Sequence, residues 1–155
     1  MEPHGCPRPM KLTVMVDASH DDTRGVVGIG MVLHETDKQR RNGPVIARLA
    51  EAYCDVPVRE MEKFAIFRAL EVARERSFQH VKVRSDYNVM RRRLKADHRS
   101  GSGHGAGSLH GRVLLLARAF TETKFAYQPR RKNQDAHALA RMAAKTVAPV
   151  TRPDV

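Results

Sequence analysis

Apolar and polar residues alternate with a period of two along residues 11–19 (KLTVMVDAS), the pattern of a β-strand whose side chains face opposite ways in turn. Leu12, Val14 and Val16 fall on one face, and Thr13, Met15 and Asp17 on the other. Apolar residues on both faces predict a central strand, yet the stretch closes on a carboxylate. Burying a carboxylate is costly unless it meets a hydrogen-bonding turn, a cation or a metal. A turn through Asp17-Ala18-Ser19 toward Asp21, Asp22 and Gly25 would serve by ordinary turn chemistry, so Asp17 alone leaves the choice open. Residues 26–34 (VVGIGMVLH) predict a second strand, with Gly28 and Gly30 where neighbouring backbone can come close. Residues 36–44 are charged and contain Asn42-Gly43, a hairpin signal, and residues 46–54 alternate as a third strand. These three strands predict an antiparallel meander.

The period then changes. Residues 59–76 contain no Pro or Gly, and Glu62, Ile66, Ala69 and Ala73 recur at helical spacing along one stripe. An acid therefore heads an otherwise apolar helix face. A glutamate in a first turn suits the helix dipole, which Glu60 could serve as well; the alternative is a carboxylate aimed at the sheet. Residues 78–85 (FQHVKVRS) predict a short strand that also ends on an acid, Asp86. A strand reached through a helical crossover tends to lie parallel to an earlier one, here the first. Ligands of such sheets gather at the carboxyl ends of strands. Asp17 and Asp86 then become neighbours with Glu62 above them, and without a metal three such carboxylates repel and raise one another's pKa.

Residues 88–95 continue as a helix with Arg91, Arg92, Arg93 and Lys95. A solvated basic face would look the same, and three consecutive arginines cannot share one direction. Residues 99–108 contain GSGHGAG, a flexible composition, so His98, His104 and His110 gain no fixed geometry and define no metal site. Residues 109–120 read as an apolar helix and 124–128 as a last strand, closed by Pro129 and the basic run Arg130, Arg131, Lys132. Asn133 stands as the N-cap of a final helix reaching about residue 147. The order is βββ-α-β-α-α-β-α in one domain over 11–147, with a loose tail at 1–10 and a frayed C-terminal tail at 148–155 punctuated by Pro149 and Pro153.

Composition narrows the function. A chain of 155 residues, 41% hydrophobic, can bury a real core, and no apolar run is long enough to span a bilayer. The first ten residues lack the apolar centre of a signal peptide, which makes the cytoplasm the expected location. Cys6 and Cys54 have no CxxC companion and read as free thiols, which excludes a zinc site or disulfide framework built on cysteine. The formal net charge of +11 and pI near 10.4 favour a polyanionic partner, most simply nucleic acid, although such charge can also serve solubility. A membrane partner would call for a basic amphipathic anchor helix, and the sequence shows none.

Four segments carry a family resemblance: Asp17-Ala18-Ser19 followed by the Gly28-x-Gly30 strand; Glu62-x-x-Ala65-x-x-x-Ala69-Leu70; Arg84-Ser85-Asp86; and Pro129-Arg130 through Asn133-x-x-Ala136-His137-x-Leu139-Ala140. In this order and spacing the chain resembles type 1 ribonuclease H, including its reverse-transcriptase-like domains, over about residues 11–147. The resemblance implies an α/β RNase H-like fold, a five-stranded mixed sheet of order 3-2-1-4-5 with helices on both faces. It implies a metal-dependent endonuclease acting on the RNA strand of an RNA/DNA hybrid. Asp17, Glu62 and Asp86 would hold two Mg2+ or Mn2+ ions about 4 Å apart, with Asp17 bridging both.

The resemblance also has departures. The family's fourth acid falls on His137, expected either to ligate one ion, favouring Mn2+, or to handle protons in product release. Asp135 reads better as a first-turn acid on the helix dipole. Residues 128–132 replace the usual His-bearing loop, Val56-Pro57-Val58-Arg59 replaces an Asn-rich segment that reads the minor groove, and the basic protruding helix has no counterpart beyond the glycine loop. The nucleic-acid contacts expected are Ser19, Arg91, Arg92, Lys95, Arg130, Arg131, Lys132 and Asn133. A nuclease acting on another nucleic acid, such as structured DNA, and a non-catalytic nucleic-acid-binding module stay open as alternatives.

Overall fold

The computed structural model describes residues 11–36, 42–101 and 107–152. Three strands open the chain, β1 (Lys11–Asp21), β2 (Val26–Thr36) and β3 (Asn42–Tyr53), paired antiparallel in sequence order. A 3-10 turn (Val58–Glu60) leads into α1 (Met61–Glu75), which crosses to β4 (His80–Ser85). Next come α2 (Asn88–Ser100), α3 (Leu109–Ala117) and β5 (Glu122–Tyr127); a second 3-10 turn (Arg130–Lys132) precedes α4 (Gln134–Thr146). The crossover lays β4 parallel to β1, and β5 lies parallel to β4, completing a five-stranded mixed sheet in the order β3-β2-β1-β4-β5.

The two faces of the sheet are covered differently, and alternation along β1 shows how. Leu12, Val14, Val16 and Ala18 join the main core with Phe64, Ile66 and Leu70 of α1 and with Val113 and Leu114 of α3. Met15 faces the other way, where it packs with Val32 and with Ala136 of α4. That second face admits α4 because β2 carries glycines beneath it. A Cβ at Gly30 would collide with the Ala136 carbonyl and one at Gly28 with the Ala140 carbonyl. Arg24, in the β1–β2 turn, closes the far end of α4 by donating to the carbonyls of Ala144 at 2.7 Å and Val147 at 3.0 Å, the carbonyls a helix C-terminus leaves unpaired. The strand order and the placement of helices on both faces agree with the sequence reading.

Several boundaries differ for local reasons. β1 does not stop at Ser19 but runs to Asp21 against β2, so Asp17 lies inside a strand. β3 begins at Asn42, which puts Asn42-Gly43 in the strand; the connection at 37–41, where a hairpin turn was expected, lies outside the described residues. Pro57 holds the chain extended (φ −61°, ψ 140°), and the 3-10 turn after it delays α1 to Met61. The strand expected over 78–85 begins at His80. α2 continues past Lys95 to Ser100 and ends on Gly101 at φ +69°, the left-handed cap that glycine accepts without strain. α3 starts on Ser108, whose side chain accepts the Gly111 amide at 3.0 Å, and ends at Ala117 rather than residue 120. β5 spans Glu122–Tyr127, two residues earlier at its start than expected.

The C-terminal segment is not frayed as far as Arg152. Val150 forms a parallel bridge with Tyr53, its amide bonding the Ala52 carbonyl at 2.8 Å and its carbonyl accepting the Cys54 amide at 3.1 Å. Arg152 reaches Glu71 at 3.0 Å, joining a network in which Arg68 donates to Glu51 and Glu71, each at 2.8 Å. The expected N-terminal tail at 1–10 and residues 153–155 lie outside the described residues. Cys54 is free and exposed. No helix among the described residues is long and apolar enough to cross a membrane.

Candidate metal centre and nucleic-acid interface

The register of β1 and β4 creates the site. The two strands pair from Lys11–His80 to Met15–Arg84, after which β4 ends at Ser85 while β1 runs on beside β2. Two steps beyond the last pair, Asp17 on β1 stands opposite Asp86, the residue that leaves β4. Fully buried Ser85 makes that departure sharp, because its hydroxyl accepts the Tyr87 amide at 3.1 Å and bends the chain at Asp86 toward α2. Glu62 comes from the first turn of α1, on the opposite face of the sheet from α4. A carboxylate oxygen from each of Asp17, Glu62 and Asp86 lies within 4.8 Å of the others.

The electrostatics of this trio are unfavourable in the protein alone. Glu62 is pushed up to about 8, first by burial and then by the charges of Asp17 and Asp86; a hydrogen bond from the Ala18 backbone and the Arg130 charge oppose this. Its Oε2 is buried without a hydrogen-bond partner. Asp86 is also raised, by burial and then by Asp17, against the pull of Arg130 and His137. Asp17 is only 4% exposed. Clustered, desolvated carboxylates with an oxygen left unpaired are a donor set that fits a hard divalent cation.

His137 joins this arrangement in a different way from the sequence expectation. It projects from α4, and its Nδ1 lies 2.7 Å from Asp17 Oδ2. It is therefore engaged with the carboxylate, and the mutual cluster of ligand atoms comprises the three acids. The link resembles the carboxylate–imidazole contacts that orient metal ligands. Asn133 holds the start of α4 in place. It occupies the N-cap position, but its side chain makes no cap bond and instead donates to the Val16 carbonyl at 2.9 Å. At 2% exposure it ties α4 to the strand that carries Asp17, and a nucleic-acid contact through its side chain does not fit that place.

The acids open into a cleft of about 410 Å³, also lined by Arg130, His137, Tyr87 and Tyr127. The two tyrosines were not singled out from the sequence. They are 51% and 45% exposed, two of the chain's three tyrosines, and each sits next to a turn, after Asp86 and before Gln128-Pro129. The basic residues expected to act together are divided. Arg130 lines the acid cleft; Arg131 and Lys132 line a separate depression beside Met15 and His34; Arg91 and Lys95 line a groove between α2 and β5. Arg92 is exposed, and Ser19 is half-buried on β1 opposite Gly28. His98 packs edge-on against Phe125, and His110 bonds Asp97 at 2.8 Å. His104 lies outside the described residues.

This sheet order, with an acid on β1, one on α1 and one after β4, defines an RNase H-like fold. The profile of the reverse transcriptase-like family matches residues 15–143, and the chain belongs to that family. Among solved structures it is similar to RNase H1 from the halophilic archaeon Halobacterium salinarum, with a TM-score of 0.67 at 21% identity over 86% of this chain and 96% of that one. It is also similar to the N-terminal RNase H domain of a Mycobacterium tuberculosis protein solved as a fusion with maltose-binding protein (TM-score 0.66, 19% identity, 87% of this chain and 94% of that one). A third is LC11-RNase H1 in complex with an RNA/DNA hybrid (TM-score 0.62, 19% identity, 86% and 96%). At these identities the likeness is one of fold. No curated protein matches the chain in sequence.

Proposed function

We propose that this protein is a divalent-metal-dependent endonuclease that cuts the RNA strand of RNA/DNA hybrids. The observation that carries the reading is the trio Asp17, Glu62 and Asp86, held within 4.8 Å with an unpaired oxygen on Glu62, in a chain of net charge +11. A chain that repels cations overall gathers three acids at one point, and a metal-bound site gives them a purpose. Family membership and a fold shared with a relative solved on an RNA/DNA hybrid support the substrate class.

In this reading the three acids are the ligands for two Mg2+ or Mn2+ ions. Ions bound there would activate a water for in-line attack on the phosphodiester and stabilise the leaving oxygen. Glu62 gives up the proton it holds near neutral pH, which makes loading pH-dependent. His137 orients Asp17 through its Nδ1. Arg130, at the mouth of the cleft, draws the substrate phosphate toward the acids. Tyr87 gives the cleft an apolar wall against which a sugar can rest.

A panel of end-labelled RNA/DNA hybrid, double-stranded RNA and double-stranded DNA, each incubated with Mg2+ or Mn2+ or with chelator, tests the proposal. Metal-dependent cutting of the hybrid ahead of the other two is the expected result. Preferential cutting of a DNA duplex would replace the substrate assignment, and binding without cutting of any duplex would replace the enzyme with a binding module.

A further inference from the structure

Beside the acid cleft, between α2 and β5, runs a second groove of about 510 Å³. Five cations line it, Lys82, Arg91, Lys95, Arg99 and Lys124, and no Asp or Glu is among its lining residues. Glu122 stands outside the lining, 3.8 Å from Lys124. Two polar atoms in its walls, Arg91 Nε and His98 Nδ1, are buried without a hydrogen-bond partner. Burial, and then the neighbouring Arg92 charge, hold the Arg91 guanidinium below its ordinary value. A partly desolvated cation with an unpaired donor is a place that an anion would complete.

The groove adjoins the acid cleft at Tyr127, which lines both. It also lies on β5, the edge strand of the sheet among the described residues. Its chemistry is a cationic track for a backbone with an exposed aromatic at its mouth, the combination by which proteins hold unpaired polynucleotide. In a duplex the base faces are already stacked and the edges paired. An exposed tyrosine at the end of the cleft finds a free base face only where the strand is single.

We propose that the α2–β5 groove holds a single-stranded extension of the nucleic acid whose duplex occupies the acid cleft, with Tyr127 stacking on the first unpaired base. The duplex part of this statement rests on the nuclease reading; the groove and its single-stranded occupant do not. The substrate class is thereby a hybrid with an overhang or a junction, bound more tightly than a blunt one.

Fluorescence anisotropy in the presence of chelator tests this with four labelled probes: a blunt hybrid, the same hybrid with a single-stranded tail at one end, the same hybrid with the tail at the other end, and the tail strand alone. The proteins are wild type, Arg99→Gln/Lys124→Gln, Tyr127→Ala and Tyr127→Phe. A tail at one end should tighten binding of wild type several-fold. The double variant should lose that gain while binding the blunt hybrid as wild type does in chelator, and while cutting it as wild type does in a separate assay with divalent metal. Its log–log salt slope on the tail strand should flatten by about 1.4, two single-strand phosphate contacts at about 0.7 each. Tyr127→Ala should remove the tail's gain on the hybrid and weaken binding of the tail strand alone by about five-fold or more, and Tyr127→Phe should retain both. If neither tail tightens binding, or if the double variant weakens blunt and tailed hybrids equally, the proposal is overturned. If the tail strand binds with this variant pattern while the blunt hybrid is neither bound nor cut, the groove assignment stands and the hybrid-nuclease reading fails.

Discussion

Glu62→Gln should make the metal-free protein more stable at alkaline pH and should lose that advantage in acid. The carboxyl has an ordinary value of 4.5 and is pushed up to about 8 by burial and by Asp17 and Asp86. At about 1.4 kcal/mol per pH unit, its ionised form costs the folded state up to about 5 kcal/mol. The sign follows from proton binding. Between 4.5 and about 8 the folded protein keeps a proton on Glu62 that the unfolded chain has lost, so stability rises as pH falls through that window. The full cost is present only above it. The amide of the variant carries no charge, so it escapes the repulsion of Asp17 and Asp86. Urea denaturation in chelator should therefore find the variant more stable by a few kcal/mol near about pH 9 and matched to wild type near about pH 4.5. Saturating Mg2+ or Mn2+ should narrow that gap, since an ion that binds only the folded state adds about 2.7 kcal/mol at a hundred times its Kd and about 4.1 kcal/mol at a thousand times. Parallel pH profiles for the two proteins in chelator would refute the reasoning, because they would mean that Glu62 carries no buried charge.

His137→Ala should lower metal affinity or turnover about ten- to a hundred-fold while leaving the three acids able to bind an ion, as expected for a group that orients a ligand; calorimetric titration with Mn2+ checks it, and unchanged affinity together with an unchanged rate would make His137 a bystander. Gly30→Ala should destabilise the fold by about 1–3 kcal/mol or more, since the added methyl meets the Ala136 carbonyl one residue before His137. A change within about half a kcal/mol in urea denaturation, the range of an ordinary surface substitution, would show that α4 is not seated on β2 as described.

The fold was legible in the sequence wherever hydrophobic period decides structure. Alternation along β1 and β2, the 4-3-4 stripe through Glu62 and Ala73, and the acid that ends β4 together predict the order of elements and bring Asp17, Glu62 and Asp86 to one point. What was not legible depends on contacts between distant segments. Asp17 looked like a strand end because the residues after it are polar, but β2 extends its pairing to Asp21. Asn133 looked like an N-cap, and only the nearness of Val16 shows what its amide does. Pro149 and Pro153 suggested fraying, while the anchors of that segment, Tyr53 and Glu71, lie far away in sequence. The basic residues at 91–93 and 130–132 form runs along the chain, yet Arg91 lines the α2–β5 groove while Arg92 and Arg93 are exposed, and Arg130 lines a different cavity from Arg131 and Lys132. Tyr87 and Tyr127 offered the missed signal, two of three tyrosines placed beside the turns that close β4 and β5.

The most direct measurement of the central claim uses one hybrid, labelled on its RNA strand in one preparation and on its DNA strand in the other. Wild type and Asp86→Asn would be compared with divalent metal and with chelator. The variant should fold at least as stably as wild type, because relieving a raised, half-buried carboxylate removes repulsion from Asp17. The account predicts fragments from the RNA label only, only with wild type and only with metal present. Cutting by Asp86→Asn at the wild-type rate, or cutting by wild type that persists in chelator, would contradict it.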